Sequence, residues 1–488
     1  MNKSTISLRT VLAIFATGTL LVTGCKKDPV DINPTGTGTG TGATTATNST
    51  VNSWILENMR DYYYWNTKIP ATPDLTQTPD KFFNSLLYDY SNTANQQRDR
   101  FSWIQESAAE LTASLNGETK TTGIDFTLVR ASSTSTDVVG VITYVLPGSP
   151  ADRAGLKRNT MFYSVNGINL TTDQSVLNKA FADESTTQTY GIANVQNGTI
   201  VKGTTTVAVT PVVFQENPVY KDSVYTDGSR KIAYLMYNQF VPGPNGSSVA
   251  TYDNQIDAIF SKFKAQGANE LILDLRYNGG GSVASSVKLA SLIVKGLNNQ
   301  PKVPFARREY NSVLTEAIKS SQGADFFNDY FQVKANNIGN QLSRVYVVTT
   351  RRTASASELV INGLRPFMTV NTIGTTSYGK NVGSITITDK ENPKNLWGMQ
   401  PIVFRSFNKN NESDYWNGFT PTVEVTEPYG ALVPLGDLRD PLLATAVNHM
   451  KGLTTGGRRS ATPDLSVGSS DDFKPGANSM YTGSPVLK

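Results

Sequence analysis

The spacing of apolar residues changes character along this chain, and each change marks a different kind of structure. Val51, Ile55, Met59 and Tyr62 recur at helical intervals with Trp54 beside them, which predicts an amphipathic helix. Thr78 suits an N-cap and Pro79 a first helical position, and Phe82, Phe83, Leu86, Leu87 and Tyr90 supply a second stripe. Tyr62-Tyr63-Tyr64-Trp65 reads as core of this helical module, 51–115, rather than as a ligand platform.

Over 118–215 the runs shorten and turns multiply. Residues 123–130, 138–145 and 161–165 read as strands, the last closed by an Asn166-Gly167 turn, and 199–213 is strand-like again. Short helices fit from Pro150 to Leu156 and over 176–181. This is the pattern of a small β-domain.

From 225 to 450 strands alternate with helices, the signature of an α/β domain. A strand fits 231–240, and a helix over 252–264 carries Ile256, Ile259, Phe260 and Phe263 on one face. Leu271-Ile272-Leu273-Asp274-Leu275 reads as a buried strand that enters Gly279-Gly280-Gly281 and a helix from Val283. After Lys380, residues 384–388 and 398–407 are strand-like, and a helix over 440–450 ends the domain. Residues 451–488, rich in Gly, Ser and Pro, are expected to form a disordered tail.

One βαβ unit carries the candidate chemistry. Val345 to Val348 is a strand, Thr353-Ala354-Ser355-Ala356-Ser357 a knot of small residues, and Glu358 to Met368 a helix. Thr369 to Thr375 is the second strand, followed by Tyr378-Gly379-Lys380. The crossover makes the strands parallel, so their C-terminal ends share one sheet edge, where open α/β sheets keep their sites. Ser355 and Lys380 both follow such ends. A serine at a helix start beside a lysine points to a nucleophile with a lysine base, the lysine made neutral by burial.

Composition narrows the alternatives. Lys and Arg number 44 against 40 Asp and Glu, a net +4, so no nucleic-acid footprint is present. One cysteine, Cys25, and one histidine, His449, leave no material for a disulfide framework, a Cys/His metal site or a thiol protease. No metal and no cofactor is implied. The triple glycine lacks the Gly-Lys-Ser/Thr ending of a P-loop, which argues against nucleotide binding.

At the start, Lys3 and Arg9 precede an apolar run from Val11 to Val22 that is too short to span a bilayer and has the layout of a signal peptide over 1–24. Its ending, Val22-Thr23-Gly24-Cys25, resembles a bacterial lipobox, which implies lipidation of Cys25 and contact with the lipid bilayer. The Thr/Gly-rich stretch over 25–50 reads as a tether.

The Thr-Ala-Ser-Ala-Ser-Glu segment at 353–358, then Tyr-Gly-Lys at 378–380, resembles the C-terminal processing (tail-specific) serine peptidase family. The Asp-Leu-Arg-x-Asn-x-Gly-Gly form at 274–280 resembles the same family, and VLPGSPADRAGLKRNTMFYSVNGINL is similar to the middle of a PDZ domain. The resemblance implies a multidomain α+β and α/β protein: the helical module, a PDZ-like domain over 118–215, and a crotonase-like (ClpP-like) peptidase domain over 225–450. It implies Ser355 as nucleophile and Lys380 as general base. It further implies Gly279 and Gly280, with the N–H around Ala356, as an oxyanion hole, and Gly123, Ile124, Asp125 and Phe126 as a peptide-binding PDZ loop. Where many members carry a lysine-orienting glutamine this chain has Ser384, and Asn381 replaces the usual glycine.

The expectation is therefore an exported, lipid-anchored endopeptidase of the bacterial cell envelope, acting on polypeptides and using the PDZ domain to engage them. The alternative is a catalytically weak, PDZ-bearing surface lipoprotein that binds peptides or scaffolds a complex.

Overall fold

Three parallel strands bring the candidate residues to one edge. Glu270–Asp274, Arg344–Thr349 and Thr369–Gly374 lie side by side, with Leu271 opposite Val345 and Arg344 opposite Thr369. They are the middle of a six-stranded sheet completed by Val219–Asp227, Arg230–Tyr237 and Val423–Glu424. Only the outermost pair, Val219–Asp227 with Arg230–Tyr237, is antiparallel. The computed structural model describes residues 45–453 and 465–483, apart from 183–184, 197–198, 298–299 and 301. The signal peptide expected over 1–24, Cys25 and the expected tether as far as residue 44 lie outside the described residues, and the last three residues of that tether, 48–50, belong instead to a helix.

Side-chain alternation along these strands builds a core on each face. Leu271, Leu273, Val345 and Val347 pack against helices Thr251–Ala265, Val283–Ile293 and Ala356–Leu364. Ile272, Tyr346 and Val348 pack on the other face with Leu442, Leu443 and Ala446 of helix Pro441–Met450. At this sheet's edge a fully buried Arg276 pairs with Asp274 (2.8 Å), Asp440 (2.8 Å) and Glu427 (3.1 Å). Arg158, from the PDZ-like region, reaches the same Glu427 at 3.1 Å. A charge this deep is tolerated only when fully paired, so this network ties the two regions together.

The expected β-domain is an antiparallel sheet containing Ile124–Arg130, Val138–Val145, Met161–Val165, Gln188–Gln196 and Thr199–Val209. The strand expected over 199–213 breaks at Thr210 and Pro211, since Pro211 supplies no N–H for a ladder. In the helical module, Asn48–Tyr62 is capped by Thr47 and packs against Pro79–Ser85, burying Ile55, Met59, Phe82 and Phe83. Of the aromatic run, Tyr63 is fully buried and Trp65 stacks on Tyr88, while Tyr90 lies outside the stripe and is exposed.

The module does not stand alone. Its core also takes in Val382, Met399, Ile402 and Trp416 from beyond Lys380, and residues from Thr45 onward form one compact unit.

The disordered tail expected over 451–488 is overturned at 465–483. Ser466–Ser469 is a strand against Ile124–Arg130, and Met480–Thr482 is a strand between Gly281–Ser282 and Val382–Ile385. Small polar residues carry no period of their own; here two sheet edges supply the backbone partners that order them. Among the described residues no helix is long and apolar enough to cross a membrane.

Candidate active site

Ser355 sits between strand Arg344–Thr349 and helix Ala356–Leu364 with φ 65° and ψ −114°, a conformation that costs energy in any L residue with a side chain. Glu358 holds it there. That buried carboxylate accepts from Ser355 N (2.9 Å), Lys380 N (2.8 Å), Gly379 N (2.7 Å) and Ser377 Oγ (2.6 Å). Burial pushes the Glu358 acid upward, and these four donors pull it back toward ionisation. One side chain thus stitches the turn bearing Ser355 to the loop bearing Lys380.

Lys380 is 1% exposed. Burial strips its ammonium of water and brings the amine down from 10.5 to about 7, against the opposing pull of Asp99. Its Nζ lies 4.8 Å from the centre of the Phe101 ring and donates to Asn478 O at 2.7 Å. Ser355 Oγ is buried without a hydrogen-bond partner. Arg100 donates to Gly379 O (3.1 Å) and Trp416 O (3.3 Å), pinning the lysine loop from the helical module.

The glycine loop abuts the serine. A Cβ on Gly280 would fall 2.7 Å from Ser355 Cβ and 3.0 Å from Ala356 N, and its φ is +112°, so only glycine fits. Asn278 shapes the loop: its Oδ1 accepts from Gly280 N (2.8 Å), its Nδ2 donates to Tyr237 O (2.8 Å), and its carbonyl accepts from Ala354 N (3.1 Å). The Gly280 N–H is therefore turned inward. Gly281 N, which the sequence reading did not single out, donates instead to Ser479 O at 2.5 Å. Ala356 is the first helical residue, so its N–H has no acceptor inside the helix.

Ser384 does not orient Lys380. Its Oγ donates to Met480 O at 3.1 Å, because the 477–482 stretch runs beside it. In the PDZ-like loop, Ile124 and Phe126 are core side chains, and Gly123 N donates to Thr121 Oγ1 at 3.0 Å. Asp125 is buried. Burial alone would push its acid up, but the bidentate Arg352 guanidinium (2.5 and 2.6 Å), with Lys474 and Thr143, holds it at about 2. The fixed carboxylate occupies the neighbourhood where a peptide's own carboxylate was expected. His449 bonds Tyr346 OH at 2.9 Å, on the Pro441–Met450 helix.

Glu358, Phe101, Arg100 and Asn478 were missed as site residues. Glu358 had a signal, its place in the Ser-Ala-Ser-Glu segment; the other three come from distant stretches with none.

Fold and site together define a serine-peptidase architecture with a built-in PDZ domain. Three family models match in chain order: the peptidase S41 N-terminal domain at 50–103, a PDZ domain at 141–179 and peptidase family S41 at 231–425. The peptidase family S41 match covers the α/β region that carries Ser355 and Lys380. It is 26% identical over 281 residues to a carboxyl-terminal-processing protease of Picosynechococcus, covering 56% of this chain and 58% of that one. It is 25% identical over 247 residues to a CtpA-like serine protease of Staphylococcus aureus, covering 50% of this chain and 42% of that one. The chain thus spans about half the length of these curated relatives. An S41 protease structure from Bacteroides fragilis superposes with a TM-score of 0.64 at 28% identity, over 82% of this chain and 97% of that one.

Proposed function

We propose that this chain is an exported, lipid-anchored serine endopeptidase that cleaves polypeptides through Ser355 and Lys380. The observation that carries the reading is a lysine 1% exposed, brought to about 7, and stitched through Glu358 to a serine in a strained strand-to-helix turn. Neutral Lys380 takes the proton of Ser355 as Oγ attacks a peptide carbonyl. Ala356 N and the Gly281 N–H, once Ser479 O gives it up, receive the developing oxyanion. The protonated lysine then gives its proton to the departing amine, and water releases the acyl group with the same lysine as base.

The signal-peptide-like layout of 1–24 and the lipobox-like Val22-Thr23-Gly24-Cys25 support the reading of export, anchoring and a cell-envelope location. The PDZ domain would bring polypeptides to the cleft through its β-edge. The deciding experiment is hydrolysis of an unfolded model protein by the parent chain beside Ser355→Ala and Lys380→Ala. Cleavage lost in both variants supports the dyad. Cleavage retained by either removes it.

One observation favours the second reading, a peptide-binding protein with weak catalysis: Lys380 Nζ is engaged by Asn478 O and not by Ser355 Oγ.

A further inference from the structure

Residues 465–483 pass through both places a bound polypeptide would need. At the PDZ edge, Ser466 pairs with Val129, Gly468 with Leu128 and Ser469 with Thr127, antiparallel, and Arg130 N donates to Leu465 O at 3.0 Å. This is strand addition to a sheet edge. The segment runs toward the Gly123–Phe126 loop but does not end there. Ser470 Oγ donates to Asp125 Oδ2 (2.9 Å), Arg352 binds both Asp471 oxygens (2.7 and 3.0 Å), and Phe473 packs on Phe181 with ring centres 4.5 Å apart.

The chain then enters the cleft. Asn478 O takes the Lys380 Nζ bond and Ser479 O takes the Gly281 N–H. A Cβ on Gly279 would fall 2.2 Å from Ala477 O, and one on Gly280 would fall 2.5 Å from Ser479 O. Met480–Thr482 then pairs in parallel with Gly281–Ser282 and with Val382–Ile385, while Met480 is fully buried. Nearly all of these cleft contacts are made to main-chain carbonyls, as suits an extended peptide accepted without regard to sequence. A cavity of ≈550 Å³ flanks the segment from Ile124 and Phe473 to Gly280 and Ser479.

We propose that residues 465–483 are a peptide held in cis along the substrate path, with 466–469 on the PDZ edge and 477–480 across Ser355 and Lys380, so that the chain is latent until the segment leaves. The inference rests on the peptidase reading for what latency means, but occupancy is tested without catalysis. Tethering sets the local concentration of such a segment near millimolar, so a free peptide of the same sequence competes poorly until the tether is cut or the docking weakened.

The test uses the whole chain carrying Ser355→Ala, with residues 456–462 replaced by the recognition sequence of a site-specific protease. A fluorescent synthetic peptide of residues 465–483 is titrated before and after cutting, and its anisotropy read. The expected result is at least about tenfold tighter binding after the cut. The same direction is expected for uncut Asp471→Ala/Phe473→Ala, which loosens docking without touching Ser355, Lys380 or the glycine loop. Equal binding to cut, uncut and loosened chains overturns the proposal, as does no binding to any of them while circular dichroism reports them folded.

Hydrolysis of an unfolded protein is measured in parallel on chains that keep Ser355. If peptide binding behaves as expected but none hydrolyses, the peptidase reading falls and the cis peptide stands. If hydrolysis depends on Ser355 but neither cutting nor loosening changes it or the binding, the cis peptide falls and the peptidase stands.

Discussion

Lys380 Nζ and Asn478 O are 2.7 Å apart, and this contact joins a buried amine on the candidate catalytic edge to a residue almost a hundred positions later. Ser355 Oγ, on the same edge, has no hydrogen-bond partner. A neutral amine donates and accepts at once, so Lys380 can keep this carbonyl on one N–H while its lone pair receives the proton of the serine.

The pH profile follows from that amine. With Lys380 at about 7 and active when neutral, kcat/KM is expected to rise about tenfold per pH unit below that value and to level off roughly one unit above it. Lys380→Arg, charged throughout, is expected to show no such limb and no activity. Steady-state kinetics over pH 5–9 on an unfolded substrate checks both.

The same group sets a stability slope. Its folded value lies below the 10.5 of a free lysine, so between about 7 and 10.5 the unfolded chain holds a proton that the folded chain has released. Stability therefore rises with pH across that window. Below it both states are charged and the folded state bears the full cost of burying the ammonium. Lys380→Met is expected to be inactive yet harder to unfold in urea than the parent at pH 6.

Glu358→Gln tests the stitch between the two loops. One amide oxygen replaces two carboxylate oxygens, leaving two of the four donors, among Ser355 N, Lys380 N, Gly379 N and Ser377 Oγ, facing an NH₂. The expected loss is about 2–4 kcal/mol of unfolding free energy. Hydrolysis should fall with it even at temperatures where the variant is folded.

Phe101→Ala removes the ring that lies 4.8 Å from Lys380 Nζ. Water admitted there relieves the desolvation that dominates the lysine's shift, and outweighs the lost ring attraction. The acid limb of kcat/KM is expected to move up by about one pH unit. An unmoved limb would show that the helical module plays no part in tuning the base.

Arg276→Met leaves Asp440 and Glu427 with Arg158 alone where two cations had served, and takes from Asp274 the guanidinium it pairs with. Breaking a buried pair from one side costs about 3–5 kcal/mol. Chemical unfolding should show that loss, and because Arg158 comes from the PDZ region, limited proteolysis between that region and the peptidase sheet should accelerate.

Much of this protein was legible from residue order alone, for a local reason. Alternating apolar residues specify strands, a crossover helix forces parallel pairing, and parallel pairing puts Ser355 and Lys380 on one edge whatever surrounds them. The glycine loop beside them follows from the same rule, since close approach of backbone to Ser355 tolerates no Cβ. What the tertiary structure alone decided involves groups with no local period. Phe101 and Arg100 reach the lysine because the helical module shares a core with Val382 and Trp416. Gly281, and not Gly280, gives its N–H to the 477–482 stretch because Asn278 captures the other. The 465–483 segment gains its strands only from the edges it joins, because its small polar residues bury too little to order themselves.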